Sequence, residues 1–199
     1  MMLSVMLPPV RLLRCEVAKT REVAFMTAQR HHPPLKRHES LQPFSRDHFI
    51  GLKAANRLVD AAAGDSVARA AAVSYFYDCW NAEIAEHFTQ EEQLLIGLML
   101  PPEIVQLRHE HHEIRTLAKA GGLKSASRPP SGPWCKELGQ KLHDHIRWEE
   151  RVLFGAIQNR ATAGQLADLA ESTAVIEKRR PGLRIRRGKQ SPGWRSPNV

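Results

Sequence analysis

The sequence predicts an all-α protein: an antiparallel up-down-up-down four-helix bundle with a short C-terminal helix and a disordered basic tail. Three observations carry this. From Pro43 to about Lys178 the chain is rich in Ala, Leu, Glu, Lys and Arg and lacks alternating β-branched runs. Gly and Pro clusters cut that stretch into four long pieces. The pieces then repeat in pairs, as two copies of a helical hairpin would.

The first helix is expected over 45–63. Gly64-Asp65-Ser66 ends it, and Asp65 or Ser66 offers an N-cap to the second, over 66–98. Pro101-Pro102 closes the second helix and fits the first turn of the third, over 102–120. Gly121-Gly122 and the run Arg128-Pro129-Pro130-Ser131-Gly132-Pro133 separate it from the fourth, over 134–159. A short fifth helix is expected over 162–178. The chain thus divides into an N-terminal extension (1–36), a bundle (37–160), an extra helix (161–178) and a disordered basic tail (179–199). Met1–Val10 is apolar and precedes the first charges, the reverse of a signal peptide. Met26 opens a polar stretch that reads as a native start, so translation is expected to begin there.

The formal net charge of +8 is unevenly spread over the 199 residues. Residues 1–44 carry seven Lys/Arg against three Asp/Glu, and 176–199 carry eight against one. Between them, 45–175 carry fourteen Lys/Arg against seventeen Asp/Glu, so the body is slightly acidic and the basicity belongs to the ends. A basic end reads first as a solvated tail, and no recognised nucleic-acid module accompanies it. No apolar run approaches the ~20 residues of a membrane-spanning helix. Cys15, Cys79 and Cys135 show no CxxC spacing, which argues against a disulfide framework or zinc ribbon and fits a reducing cytoplasm.

Glu86-His87-Phe88-Thr89-Gln90-Glu91-Glu92 matches Asp144-His145-Ile146-Arg147-Trp148-Glu149-Glu150, and Asp47-His48 aligns with Glu110-His111. Each hairpin therefore offers one His and then one His-x-x-x-Glu. Residues i and i+4 share a helix face with Cβ atoms ~5–6 Å apart, so His87 with Glu91, and His145 with Glu149, can each aim at one point. Imidazole and carboxylate on facing helices are how buried di-metal sites are built in bundles. Imidazole suits iron or zinc, and carboxylate suits harder ions and can bridge two of them.

Position along the bundle supports most of the set. His111 lies ten residues before Gly121 and His145 eleven after Trp134, which puts them level. His48 lies sixteen before Gly64, whereas His87 follows Ser66 by twenty-one, a mismatch of about 7 Å at ~1.5 Å per residue. His109, His112 and His143 fall on other helix faces. His31, His32 and His38 lie in a polar lead-in and read as surface residues.

At these residues the sequence resembles the hemerythrin-like family, the HHE cation-binding domains. Arg37-His38-Glu39-Ser40-Leu41 and Ser45-Arg46-Asp47-His48 look like the opening of its bacterial branch, and His87-x-x-x-Glu91, Glu110-His111 and His145-x-x-x-Glu149 follow in the family's order. The resemblance covers roughly residues 37–157. It implies a four-helix bundle with His48, His87, Glu91, His111, His145 and Glu149 as ligands to two non-haem irons, Glu91 and Glu149 bridging. Two departures stand out. Bacterial members often have a second His after the first-helix ligand, where this chain has Phe49. Oxygen-carrying members supply two His four residues apart from the third helix, whereas His111 is followed by Arg115. Four His and two Glu leave a position open to water, O2, NO or another small molecule, and count against reversible oxygen carriage.

Three functions follow, in order of rank. The first is a cytoplasmic di-iron protein that binds or senses O2 or NO, or handles iron. The second is a redox enzyme acting on peroxide or a nitrosative product at the open position. The third is a structural bundle whose basic tail contacts nucleic acid. Zinc or manganese could occupy the same donors by availability.

Overall fold

Every described element is helical. The computed structural model describes residues 36–124 and 130–179. The expectations for the extension, the tail, Met26, Cys15, His31 and His32 lie outside those residues. The chain divides before Arg37 into two units, and all the elements below belong to the second.

A 3-10 turn, Glu39–Leu41, leads into α1, Gln42–Ala61. Pro43 sits in its first turn, where N–H groups have no intrahelical partner and a missing one costs nothing. α2, Ser66–Cys79, is capped by Asp65, whose carboxylate accepts from the Ala68 amide at 2.8 Å. It runs through a π turn, Trp80–Ile84, into α3, Ala85–Leu94. α4 spans Pro101–Lys124. α5, Gly132–Trp148, is capped by Ser131 and passes through a second π turn, Glu149–Leu153, into α6, Phe154–Arg160. α7 spans Ala163–Arg179. Among the described residues there is no strand, and no helix is long and apolar enough to cross a membrane.

Two boundaries differ from expectation for physical reasons. Gly121 does not stop α4, which runs on to Lys124. A Cβ on Gly121 would lie 2.0 Å from Trp134 Cζ2, so the glycine makes room for an indole rather than a turn. That indole donates its Nε1–H to the Leu117 carbonyl at 3.2 Å, tying α4 to α5. The long second and fourth helices are each broken by a π turn, which no residue signature announces.

α1 packs chiefly on α5 and next on α2. The close approach to α5 depends on Gly139, where a Cβ would come within 2.7 Å of the Ala55 carbonyl oxygen. Two apolar clusters fill the interior. The first includes Ala54, Leu58, Phe76, Phe88, Ile114, Leu138, Leu142 and Ile146, and the second includes Leu41, Phe44, Leu95, Leu107, Leu153, Phe154 and Ile157. α1 and α4 run from the second cluster to the first, while the α2–α3 and α5–α6 rods run from the first to the second. A layer of buried polar side chains lies between them.

Candidate metal centre

That layer contains His48 on α1, His87 and Glu91 on α3, His111 on α4, His145 on α5 and Glu149 at the start of the second π turn. None is more than 4% exposed, although these side chains are ionisable or polar and each sits among apolar neighbours. Helical spacing delivers them: His87 and Glu91, like His145 and Glu149, stand four residues apart on one face. The six converge as two overlapping quartets, His48–His87–Glu91–Glu149 and Glu91–His111–His145–Glu149. Within each quartet the candidate donor atoms all lie within 4.8 Å of one another.

Glu91 and Glu149 belong to both quartets. Glu91 turns Oε1 to His87 Nε2 at 3.0 Å and Oε2 to His111 Nε2 at 3.4 Å. Glu149 Oε2 lies 3.1 Å from His48 Nε2 and 3.3 Å from His145 Nε2. Despite these approaches, all four carboxylate oxygens and the Nε2 atoms of His48 and His87 lack a hydrogen bond of proper geometry. A buried polar group left so costs ~1–3 kcal/mol, more when charged. His111 Nε2 and His145 Nε2 meet each other at 3.1 Å, whereas the six unpartnered atoms crowd within the two quartets, where a cation would satisfy them together. The donor set of nitrogen and carboxylate oxygen fits iron, zinc or manganese. Cys79 and Cys135 sit in the first apolar cluster, so among the described residues no thiol belongs to the set.

The outward nitrogens are all anchored. His48 Nδ1 donates to Glu150 at 2.7 Å, His87 Nδ1 to Asp47 at 3.2 Å, His111 Nδ1 to Glu92 at 2.6 Å and His145 Nδ1 to Glu110 at 2.8 Å. A carboxylate on Nδ1 fixes the ring and its tautomer and leaves Nε2 free to face inward. The four contacts follow the internal repeat. Asp47 and Glu110, each preceding a buried His, hold the second His of their own hairpin. Glu92 and Glu150, each following a central Glu, hold the first His of the other hairpin. In the sequence these acids stand out only as part of the repeat.

Charge in the layer is correspondingly skewed. Burial opposes protonation of His48, but Glu149, Glu150 and Glu91 outweigh it and hold the imidazole well above its ordinary range. Burial likewise opposes the charge on His87, yet Glu91 and Asp47 push it up to about 9. His145 is raised against burial by Glu149 and Glu110. Glu91 is held well below the usual carboxylate range despite burial, by His87, His111 and His48. The centre thus attracts positive charge, which protons supply without a metal.

Two arginines brace the anchors that cross between hairpins. Arg37 reaches Glu150 Oε2 at 2.8 Å, also bonds the Glu150 carbonyl, and lies 5.2 Å above the Phe154 ring, which stacks on His48. Arg115 reaches Glu92 Oε1 at 2.6 Å and lies 5.6 Å above Phe88, which stacks on His111. Arg115 therefore turns toward Glu92, and Phe49 is 70% exposed, so a histidine at that position would face solvent.

His109 and His112 are exposed and His143 half-buried, apart from the six. His38, expected on the surface, is half-buried: its amide donates to Gln158 and its Nδ1 meets Ser40 Oγ at 2.9 Å. The expected mismatch of His48 and His87 disappears, for their ring centroids are 4.9 Å apart. A helical side chain tilts toward its own N-terminus, so His48 leans toward the second cluster and His87 back toward the first. The π turn at Trp80–Ile84 also advances the rod less per residue than an α-helix does.

No curated protein and no solved structure matches the chain. The family model of the hemerythrin HHE cation binding domain matches residues 45–157. That span is more than half of the chain and carries all six converging side chains, so the protein belongs to the hemerythrin HHE cation-binding domain family and is a metal-binding protein.

Proposed function

We propose that His48, His87, Glu91, His111, His145 and Glu149 hold two non-haem iron ions, with Glu91 and Glu149 shared between them, and that the protein binds or senses O2 or NO or handles iron. The observation that carries this reading is the convergence of six buried side chains in which the Nε2 atoms of His48 and His87 and all four carboxylate oxygens of Glu91 and Glu149 have no hydrogen bond. Bound iron would supply a redox-active Lewis acid with positions left over by four protein donors per ion. The chain's own part is to hold those donors still. Asp47, Glu92, Glu110 and Glu150 fix the rings through Nδ1, and Phe88 and Phe154 cover His111 and His48 against water. The alternating order in which the rods meet the two clusters supports an up-down-up-down bundle, and buried free thiols support a reducing cytoplasm. The test is anaerobic addition of NO, then O2 in a separate sample, to the reduced iron-loaded protein. A changed absorption spectrum is expected with at least one gas, and no response to either would leave iron handling alone.

A further inference from the structure

We propose that the two metal positions are unequal: the one framed by His111 and His145 exchanges its ion with solvent, while the one framed by His48 and His87 retains its ion. This rests on the two-metal reading above. Donor type does not distinguish the positions, since each quartet has two His and the same two Glu. Their surroundings do, in two independent ways.

The first difference is access. A cleft of about 370 Å³ lies between α4 and α5, lined by Glu110, Glu113, Lys141, Asp144, His145 and Trp148. Asp144 is 63% exposed and the Glu113 side chain 35%, so the cleft opens to water behind the buried His145 ring, on its Nδ1 edge beside Glu110, and leaves room for that ring to swing out. Three acids against one lysine favour a cation there. Beside His48 and His87 the free space is only about 10 Å³, walled by the acids Asp47 and Glu83 and by Ile84, Phe88, Leu142 and Ile146. That is room for about one water molecule, so no hydrated ion approaches from that side.

The second difference is bracing. An ion leaves when a ligating imidazole swings away, which its Nδ1 anchor resists. At His48 the anchor is Glu150, held by an Arg37 side chain 9% exposed that grips both the carboxylate and the backbone carbonyl. At His111 the anchor is Glu92, held through one contact by an Arg115 side chain 36% exposed. Exposed pairs are screened and weak, whereas buried charge-assisted bonds are not. Arg37 also stands outside the family-matched span, so this chain's lead-in secures the retained position.

The experiment loads the full chain with Co2+, counts the ions bound, then follows their release to excess chelator. Two steps of one ion each are expected, with rates at least about tenfold apart. Arg115→Gln should speed the first step about tenfold, the lower end of the loss when an outer partner of a ligating His is weakened. The second step and the melting temperature of the metal-free protein should not move. Arg37→Gln should speed only the second step; if that variant does not fold, the Arg115→Gln arm still decides. Release of both ions in one step, or an Arg115→Gln effect on the slow step, overturns the proposal. Fewer than two ions bound before chelator is added instead overturns the two-metal reading beneath it.

Discussion

His48 donates from Nδ1 to Glu150 at 2.7 Å across 102 residues of sequence, and that contact ties the first helix to the π turn that joins α5 to α6. Glu150 is thus a positioning residue for His48. Glu150→Ala should weaken metal binding ~10–100-fold. Glu150→Gln retains an acceptor for Nδ1–H and should lose less. Metal titration of both variants checks this, and wild-type affinity in Glu150→Ala would remove the carboxylate from the account.

On α4 the buried His111 and the exposed His112 are adjacent. His111→Ala should lower iron stoichiometry with helical content retained. His112→Ala should shift stability by no more than ~0.5 kcal/mol and leave iron content alone. Parallel iron analysis and circular dichroism separate the two, and dependence on His112 instead would refute the proposed ligand set.

Stability of the metal-free protein should depend on pH in both directions. Burial opposes the charge on His87, but Glu91 and Asp47 push its folded value up to about 9, above the unfolded ~6.5. Its contribution is therefore complete below ~6.5 and lost as pH rises through 9. Burial opposes ionisation of Glu150, but His48 and Arg37 draw it down to about 2. Its contribution is present above ~4.3 and lost as pH falls toward 2. Thermal unfolding in chelator should show a plateau between ~4.3 and ~6.5, with decline on either side. A melting temperature that climbs from pH 7 to 9 would contradict the charge assignment.

Two glycines on the α1–α5 contact should behave differently. A Cβ at Gly139 meets the Ala55 carbonyl oxygen at 2.7 Å and Val59 and Leu58 side chains within 3.0 Å, with backbone among them. Gly139→Ala should cost ~1–3 kcal/mol, more than the ~1 kcal/mol that alanine gains in a helix. At Gly51 the clash is with the Ile146 Cδ1 methyl alone at 2.7 Å, which can turn away. Gly51→Ala should be near neutral. Denaturant unfolding of both variants would show equal losses if the distinction is wrong.

Much of this centre was legible because helical spacing is local. Four-residue spacing marks His87 with Glu91 and His145 with Glu149, and the repeat adds His48 and His111, six side chains that the fold brings together. What adjacency could not reveal is which His each acid holds. Glu92 and Glu150 cross to the other hairpin, a pairing set by how rods pack rather than by sequence distance. Arg37 and Arg115 escaped for the same reason, since they occupy unrelated places in the repeat yet brace equivalent anchors. Gly121 misled because a glycine needed for the Trp134 indole looks like one that ends a helix.

The most direct measurement is metal stoichiometry of the full chain after anaerobic titration with Fe2+, alongside the Glu91→Ala and Glu149→Ala variants. The account predicts two ions per wild-type chain and fewer than two in either variant, because each of these carboxylates serves both positions. A wild-type chain that binds no iron, or variants that still hold two ions, would contradict it.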